Sequence, residues 1–140
     1  MLDSSATLAW TLPGDGSAAT DALLEAVGRD GAAVPTQWSL ETANVLLIAE
    51  RRGRITAAER RQALDILMAL PIQIHAQPIL ATFSSIVDLA AAHDLTVYDA
   101  SYLDPAISTA LPLATLDRAL RQAAHRVGLA LVMPSAADPS

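Results

Sequence analysis

The chain has no cysteine and no lysine among its 140 residues, and only five aromatic side chains. Without cysteine there is no disulfide scaffold, no thiolate zinc or iron–sulfur centre and no cysteine nucleophile, so any metal chemistry uses oxygen or nitrogen ligands. Trp10, Trp38 and Phe83 are too few and too scattered for a base-stacking platform, and are expected to fill the core or an interface. All nine basic residues are arginine, against fifteen acidic ones, for a net charge of −6, so a bulk basic footprint for nucleic acid is missing. Divalent cations held by carboxylates can supply the positive charge that phosphates need, so a nucleic-acid enzyme is not excluded. No apolar run approaches the ~20 residues of a membrane span. Met1 to Trp10 carries Asp3 and no basic residue, unlike a cationic secretory leader, and a soluble cytoplasmic chain is expected.

Familiar catalytic patterns are absent as well. His75, His93 and His125 form no His-x-x-His or His-x-x-x-His pair, and are expected at the surface or a rim. The serine pairs at 4–5 and 84–85 lack a Gly-x-Ser-x-Gly elbow, and Gly14 and Gly16 are not followed by the Lys-Ser or Lys-Thr of a phosphate loop.

What is present suits one ordinary domain. Half of the residues are hydrophobic (52%), mean hydropathy is +0.34, and the six glycines and eight prolines fall far below a low-complexity composition. A helix is expected over 17–28, with Gly28 and Gly31 bracketing its exit, then a short strand at 32–34 closed by Pro35. Ser39 can cap a helix reaching Gly53, and Thr56 and Glu59 have the spacing of a capping box before a stripe of Ala63, Leu64, Leu67 and Leu70. Pro71 ends that helix, 72–74 alternates as a strand, and Ile79, Phe83, Ile86, Val87 and Ala90 read as a core-facing stripe after Pro78. Strands at 95–98, 113–115 and 130–133 alternate with helices from about 100 and over 118–127. Such βα alternation, with short apolar strands, predicts an α/β fold: a central, mainly parallel sheet covered by helices on both faces, a three-layer α/β/α sandwich. One domain over 1–133 and a disordered tail over 134–140 are expected.

In an open parallel sheet ligands sit beyond the carboxyl ends of the strands, and here those positions are acidic. Asp3 follows the first strand, Glu41 lies in the first turn of the helix after the second, and Asp99 and Asp117 follow two later strands. Several anions on one edge raise one another's pKa and lose hydration, a cost that a cation offsets. Oxygen-only ligands favour Mg²⁺ or Mn²⁺, which suits phosphodiester hydrolysis. Singly, each acid also reads as an ordinary helix cap or first-turn residue.

The segments Leu2-Asp3-Ser4-Ser5, Leu40-Glu41-Thr42-Ala43-Asn44-Val45-Leu46, Tyr98-Asp99-Ala100-Ser101-Tyr102-Leu103 and Leu113-Ala114-Thr115-Leu116-Asp117 occur in the order found in PIN domains. Over essentially 1–133 the chain resembles a PIN-domain ribonuclease, a VapC-type toxin of a type II toxin–antitoxin system. The resemblance implies a PIN-like fold and a catalytic acidic pocket of Asp3, Glu41, Asp99 and Asp117. Asp3, Asp99 and Asp117 would be the direct metal ligands, Glu41 acting partly through water, with Ser5 and Thr115 as supporting hydroxyls. Asn44, three residues after Glu41 on the same helix face, would orient that carboxylate or a water, or else be a satisfied buried polar group. The implied activity is Mg²⁺- or Mn²⁺-dependent endonucleolytic cleavage of RNA, leaving a 5′-phosphate. The implied partners are RNA, a second copy in a homodimer, and a small antitoxin whose tail covers the pocket, an Arg or Lys standing in for the cation. The helical stretches 18–27 and 45–70 offer surfaces for these protein partners.

Two features depart from the family pattern. Only Met1 and Leu2 precede Asp3, so either the first strand is short or Met1 lies downstream of the true start, and Asp104-Pro105 is expected to kink or delay the helix after Asp99, leaving Asp104 exposed. Five of the nine arginines, Arg51, Arg52, Arg54, Arg60 and Arg61, crowd eleven residues around a helix–helix turn. They read either as a solvated hairpin with pairs such as Glu50 and Arg54, or as a place where Arg51, Arg52 and Arg54 meet RNA phosphates. The rival to the enzyme is a catalytically silent PIN fold serving as an RNA- or protein-binding module. A structure-specific DNA nuclease is a further alternative, but its additional clamping segments do not fit in 140 residues.

Overall fold

The computed structural model describes residues 1–132. Its regular sheet is a parallel pair, β1 (Ala32–Pro35) and β2 (Ile72–His75), with Ala32 opposite Ile72 and Pro35 opposite His75. Single bridges extend it. The Leu2 N–H donates to the Ala33 carbonyl at 2.9 Å, Leu2 bridges Ala114 in parallel on its other side, and Leu113 bridges Leu131 in parallel. Leu2, almost wholly buried, thus lies in the middle, and β2 lies at one edge. The α/β class with a small parallel sheet holds, but the regular strands are fewer than the sequence suggests. Asp3 already caps a helix, so the first strand shrinks to a bridge, and the last shrinks to Leu131. Met133 and the expected tail over 134–140 lie outside the described residues.

The helix α1 (Ser4–Thr11), absent from the sequence reading, starts directly after Asp3. A reciprocal capping box of Ser17 and Thr20 opens α2 (Ala18–Asp30), which runs past Gly28. Gly31 then turns the chain into β1 at φ 80° and ψ 177°, where a Cβ would sit 2.9 Å from the Pro71 carbonyl oxygen. That backbone region is essentially confined to glycine. α3 (Trp38–Arg51) begins one residue before Ser39, so Ser39 lies inside the helix and Gln37 occupies the cap position. α4 (Ala57–Met68) does start at its foreseen box, Thr56 Oγ1 accepting from the Glu59 N–H at 3.1 Å while the Glu59 carboxylate takes the Thr56 N–H. Across the α3–α4 turn Glu50 pairs with Arg60 rather than Arg54, which instead faces Asp15 at 3.6 Å.

After β2 come α5 (Ile79–Ala81), a π-helical turn (Thr82–Ile86) and α6 (Val87–His93). Ile86 and Ala90 are buried, but Ile79, Phe83 and Val87 point outward, Phe83 at 77% exposure, so the expected core stripe is only half core. No strand forms at 95–98: Thr96 caps α7 (Val97–Ser108) through the Asp99 N–H, which puts Asp99 in a helical first turn. Nor does Pro105 break α7. The Ser101 carbonyl that its ring leaves without a helical donor receives the Gln77 Nε2 at 3.4 Å, Pro105 is buried, and Asp104 is half-buried rather than exposed. α8 (Arg118–Arg126) closes the fold. Leu2, Val34, Trp38, Tyr102, Leu103, Leu113 and Leu120 lie in the main core, and Trp38 Nε1 donates to the buried Thr7 hydroxyl at 3.0 Å. His75 and His125 are exposed and His93 is half-buried. Among the described residues no helix is long and apolar enough to cross a membrane.

Candidate active site

Asp3 is a carboxylate at 4% exposure, and it stays there because hydroxyls replace the water it has lost. Ser5 and Thr115 each donate to its Oδ2 at 2.6 Å, and Ser4 approaches Oδ1 at 3.4 Å. The same two hydroxyl oxygens accept backbone protons, Ser5 from Leu116 at 2.9 Å and Thr115 from Asp117 at 3.0 Å. Each hydroxyl therefore relays the polarity of a backbone N–H onto one carboxylate oxygen. The 3.2 Å approach of Ser5 to Thr115 is a by-product, since both protons are already committed to Asp3.

Glu41, in the first turn of α3, reaches the same place, with the Ser4 hydroxyl 3.3 Å from its Oε2. Burial pushes the Glu41 carboxyl above its ordinary range, the Ser4 hydrogen bond offsets part of this, and the charges of Asp3 and Asp99 add to it. Asp99 is also raised, first by burial and then by Asp117 and Asp3. Asp3 and Asp99 thus act on Glu41, and Asp117 and Asp3 on Asp99, although Asp99 arrives on a helix and not after a strand. Asp117 caps α8, its Oδ1 accepting the Leu120 N–H at 2.8 Å, so its structural reading holds whatever else it does.

Counting occupied lone pairs shows what remains. Asp3 Oδ1 has one long contact, Asp117 Oδ2 has no hydrogen bond among the described residues, and Glu41 Oε1 is buried without a partner. An orphaned carboxylate oxygen inside an all-oxygen donor set fits a hard divalent cation. Among the described residues no three acidic or histidine side chains stand ready to hold one ion between them, so a cation would have to draw them together.

Asn44 is exposed one turn beyond Glu41 and its side chain makes no hydrogen bond among the described residues, so it is neither a buried satisfied amide nor a partner of Glu41. Arg51, Arg52 and Arg54 are exposed at the far end of α3, about 15 Å along its axis from Glu41 at 1.5 Å per residue. Three residues of the site escape the sequence reading. Ser4 joins Asp3 to Glu41, Tyr102 is buried beside Glu41, and Arg121 Nη1 donates to the Thr115 carbonyl at 3.0 Å. The signals for the last two were their helical offsets, Tyr102 three residues after Asp99 and Arg121 four after Asp117.

The PIN domain family model matches residues 1–126. Among solved structures, PAE2754 from Pyrobaculum aerophilum is similar at 29% identity with a TM-score of 0.67, over 87% of this chain and 83% of that one. No curated protein matches. With 126 residues matched and an α/β fold with a small parallel sheet, the chain belongs to the PIN-domain family.

Proposed function

We propose that the chain is a metal-dependent endoribonuclease of the VapC toxin type, cleaving RNA phosphodiester bonds with Mg²⁺ or Mn²⁺ at Asp3, Glu41, Asp99 and Asp117. The observation that carries this reading is a repelling acidic group, Asp3 buried and the other three half-buried, with an orphaned oxygen on Glu41. Such an arrangement weakens the empty fold and makes sense when positive charge enters it. A bound divalent cation supplies charge against phosphate oxygens and acidifies water. The chain's own part is to present oxygens. Ser5 and Thr115 hold Asp3 by Oδ2 and leave Oδ1 with one long contact, α8 fixes Asp117 through Oδ1, and Ser4 aligns Glu41.

The three-layer arrangement, cytoplasmic location, homodimer and cognate antitoxin of such toxins belong to the same proposal. It is supported by the outward apolar row Ile79, Leu80, Phe83 and Val87, which lacks a partner within the described chain. Arg51, Arg52 and Arg54 are the exposed cations proposed to meet RNA phosphates beyond the cleavage point, which predicts binding that weakens with salt. The test is RNA cleavage with Mg²⁺ by the wild type and Asp99→Asn: cleavage by the former and its loss in the latter are expected, and equal rates refute the assignment.

One observation favours the rival, a PIN fold that binds without turnover: no ligand set is closed among the described residues. Melting with millimolar Mn²⁺ separates the two. An ion that binds only the native state raises the midpoint, and an unmoved midpoint selects the rival.

A further inference from the structure

Gln37 and Gln77 stand at matching places in the fold. In the parallel pair Pro35 lies opposite His75, and each glutamine comes two residues later, past the carboxyl end of its strand. Both reach the same residue of α7. Gln77 Nε2 meets the Ser101 carbonyl that Pro105 leaves without a helical donor, which is a structural duty. Gln37 has no such duty. Its Nε2 donates to the Ser101 hydroxyl and, at 3.4 Å, to the Tyr98 carbonyl, to which the Ser101 hydroxyl also donates. Only the amide nitrogen can serve a carbonyl acceptor, so both of its protons are committed to the opening turns of α7. The backbone of Gln37 meanwhile begins α3: its carbonyl accepts the Glu41 N–H at 2.9 Å, while the Tyr98 that its side chain holds is followed directly by Asp99. One residue therefore ties the turn that carries Glu41 to the turn that carries Asp99. Above the shared core these helices pack elsewhere, α3 chiefly against α1 and α4, and α7 against α6, the π-helical turn and α8. For the fold alone glutamine is a poor choice here. It is partly exposed and its side chain does not cap α3, as serine, threonine, aspartate or asparagine can. The charge of Asp99 also acts on Glu41, so the tie is made between turns that repel each other.

We infer that Gln37 is a positioning residue whose amide clasps the opening of α7 to the first turn of α3 and so keeps Glu41 and Asp99 within reach of one cation. The inference rests on the metal-dependent reading above. In the empty protein the clasp works against the repulsion between the two carboxylates. Without it the turns part, and some of an entering ion's binding free energy goes into closing them.

The test uses the full chain with Gln37→Met, which keeps the length of the side chain and removes the amide, with Ser101→Ala, which removes the hydroxyl that the amide grips, and with both together. Mn²⁺ affinity is measured by calorimetric titration, and the melting midpoint in chelator. Loss of a group that orients a ligand lowers metal affinity by about tenfold or more. Each single variant should lose about that much Mn²⁺ affinity, and the double variant no more than either, because all three break one clasp. The midpoint in chelator should fall by only about 4 °C or less, the weight of one partly exposed hydrogen-bonded group. Unchanged Mn²⁺ affinity in Gln37→Met, beside a wild type that binds the ion, overturns the role of Gln37 and leaves the metal-dependent reading standing. A midpoint lower by about 10 °C or more overturns it too, since the amide then holds the fold itself. Losses that multiply in the double variant do the same, because amide and hydroxyl then act separately. A wild type that binds no Mn²⁺ overturns both this inference and the metal-dependent reading.

Discussion

Replacing Thr115 by valine exchanges a hydroxyl for a methyl of nearly equal size and so isolates the relay onto Asp3. Thr115 is fully buried, so water cannot take the place of the lost oxygen. The variant gives up a 2.6 Å bond to a buried carboxylate, worth roughly 1.5–3 kcal/mol for a charged acceptor. It also gives up the bond from the Asp117 N–H, worth about 0.5–1.5 kcal/mol. The combined loss is roughly 2–4.5 kcal/mol, and a chain of this length loses about 3–4 °C of Tm per kcal/mol, which gives roughly 6–18 °C. Thr115→Ser keeps both bonds and loses one methyl, about 1 kcal/mol. Urea and thermal unfolding at pH 7 in chelator would show the order wild type, Ser, Val. A valine variant as stable as the serine variant would mean that the hydroxyl does not hold Asp3, and the account of how Asp3 tolerates burial would be wrong.

Glu41 and Asp99 predict an inverted pH dependence. Their folded pKa values lie above the unfolded ones, so between the two the native state holds the extra proton and stability falls as pH rises; the destabilisation is absent below about pH 4 and complete above the raised values. Glu41→Gln and Asp99→Asn should therefore melt a few degrees higher than the wild type at pH 7 in chelator, with the difference closing as pH falls towards 4. Gly31→Ala should cost roughly 1–3 kcal/mol from its backbone region, and more from the Pro71 carbonyl, readable as a lower urea midpoint with an unchanged slope.

Local chemistry made some parts of the fold readable from sequence. The box at Thr56 and Glu59 starts α4 where its side chains and backbone exchange bonds, and Pro71 stops the chain before β2 because proline cannot extend the helix. The same signal was present at Thr96 and Asp99, but the alternation of Leu95 to Tyr98 imitated a strand and concealed it. Periodicity over 79–90 marked an apolar face correctly, yet periodicity does not say on which side the rest of the protein lies. Within the site, the positions at the ends of expected strands singled out Asp3, Glu41, Asp99 and Asp117 as candidates. Ser4 was missed because α1 was not foreseen, and Tyr102 because a strand read over 95–98 hid the first turn of α7 and left its offset from Asp99 unused. Pro105 sits in α7 because Gln77, distant in sequence, reaches the freed carbonyl.

The central place of Leu2 has a consequence for how the molecule is made. One flank of Leu2 needs position 33, but the other needs position 114, which the ribosome supplies much later. Asp3 cannot acquire its Thr115 support until that later stretch emerges, so the carboxylate is made long before the hydroxyl that holds it. A chain interrupted before that stretch lacks the bond that lets Asp3 stay buried.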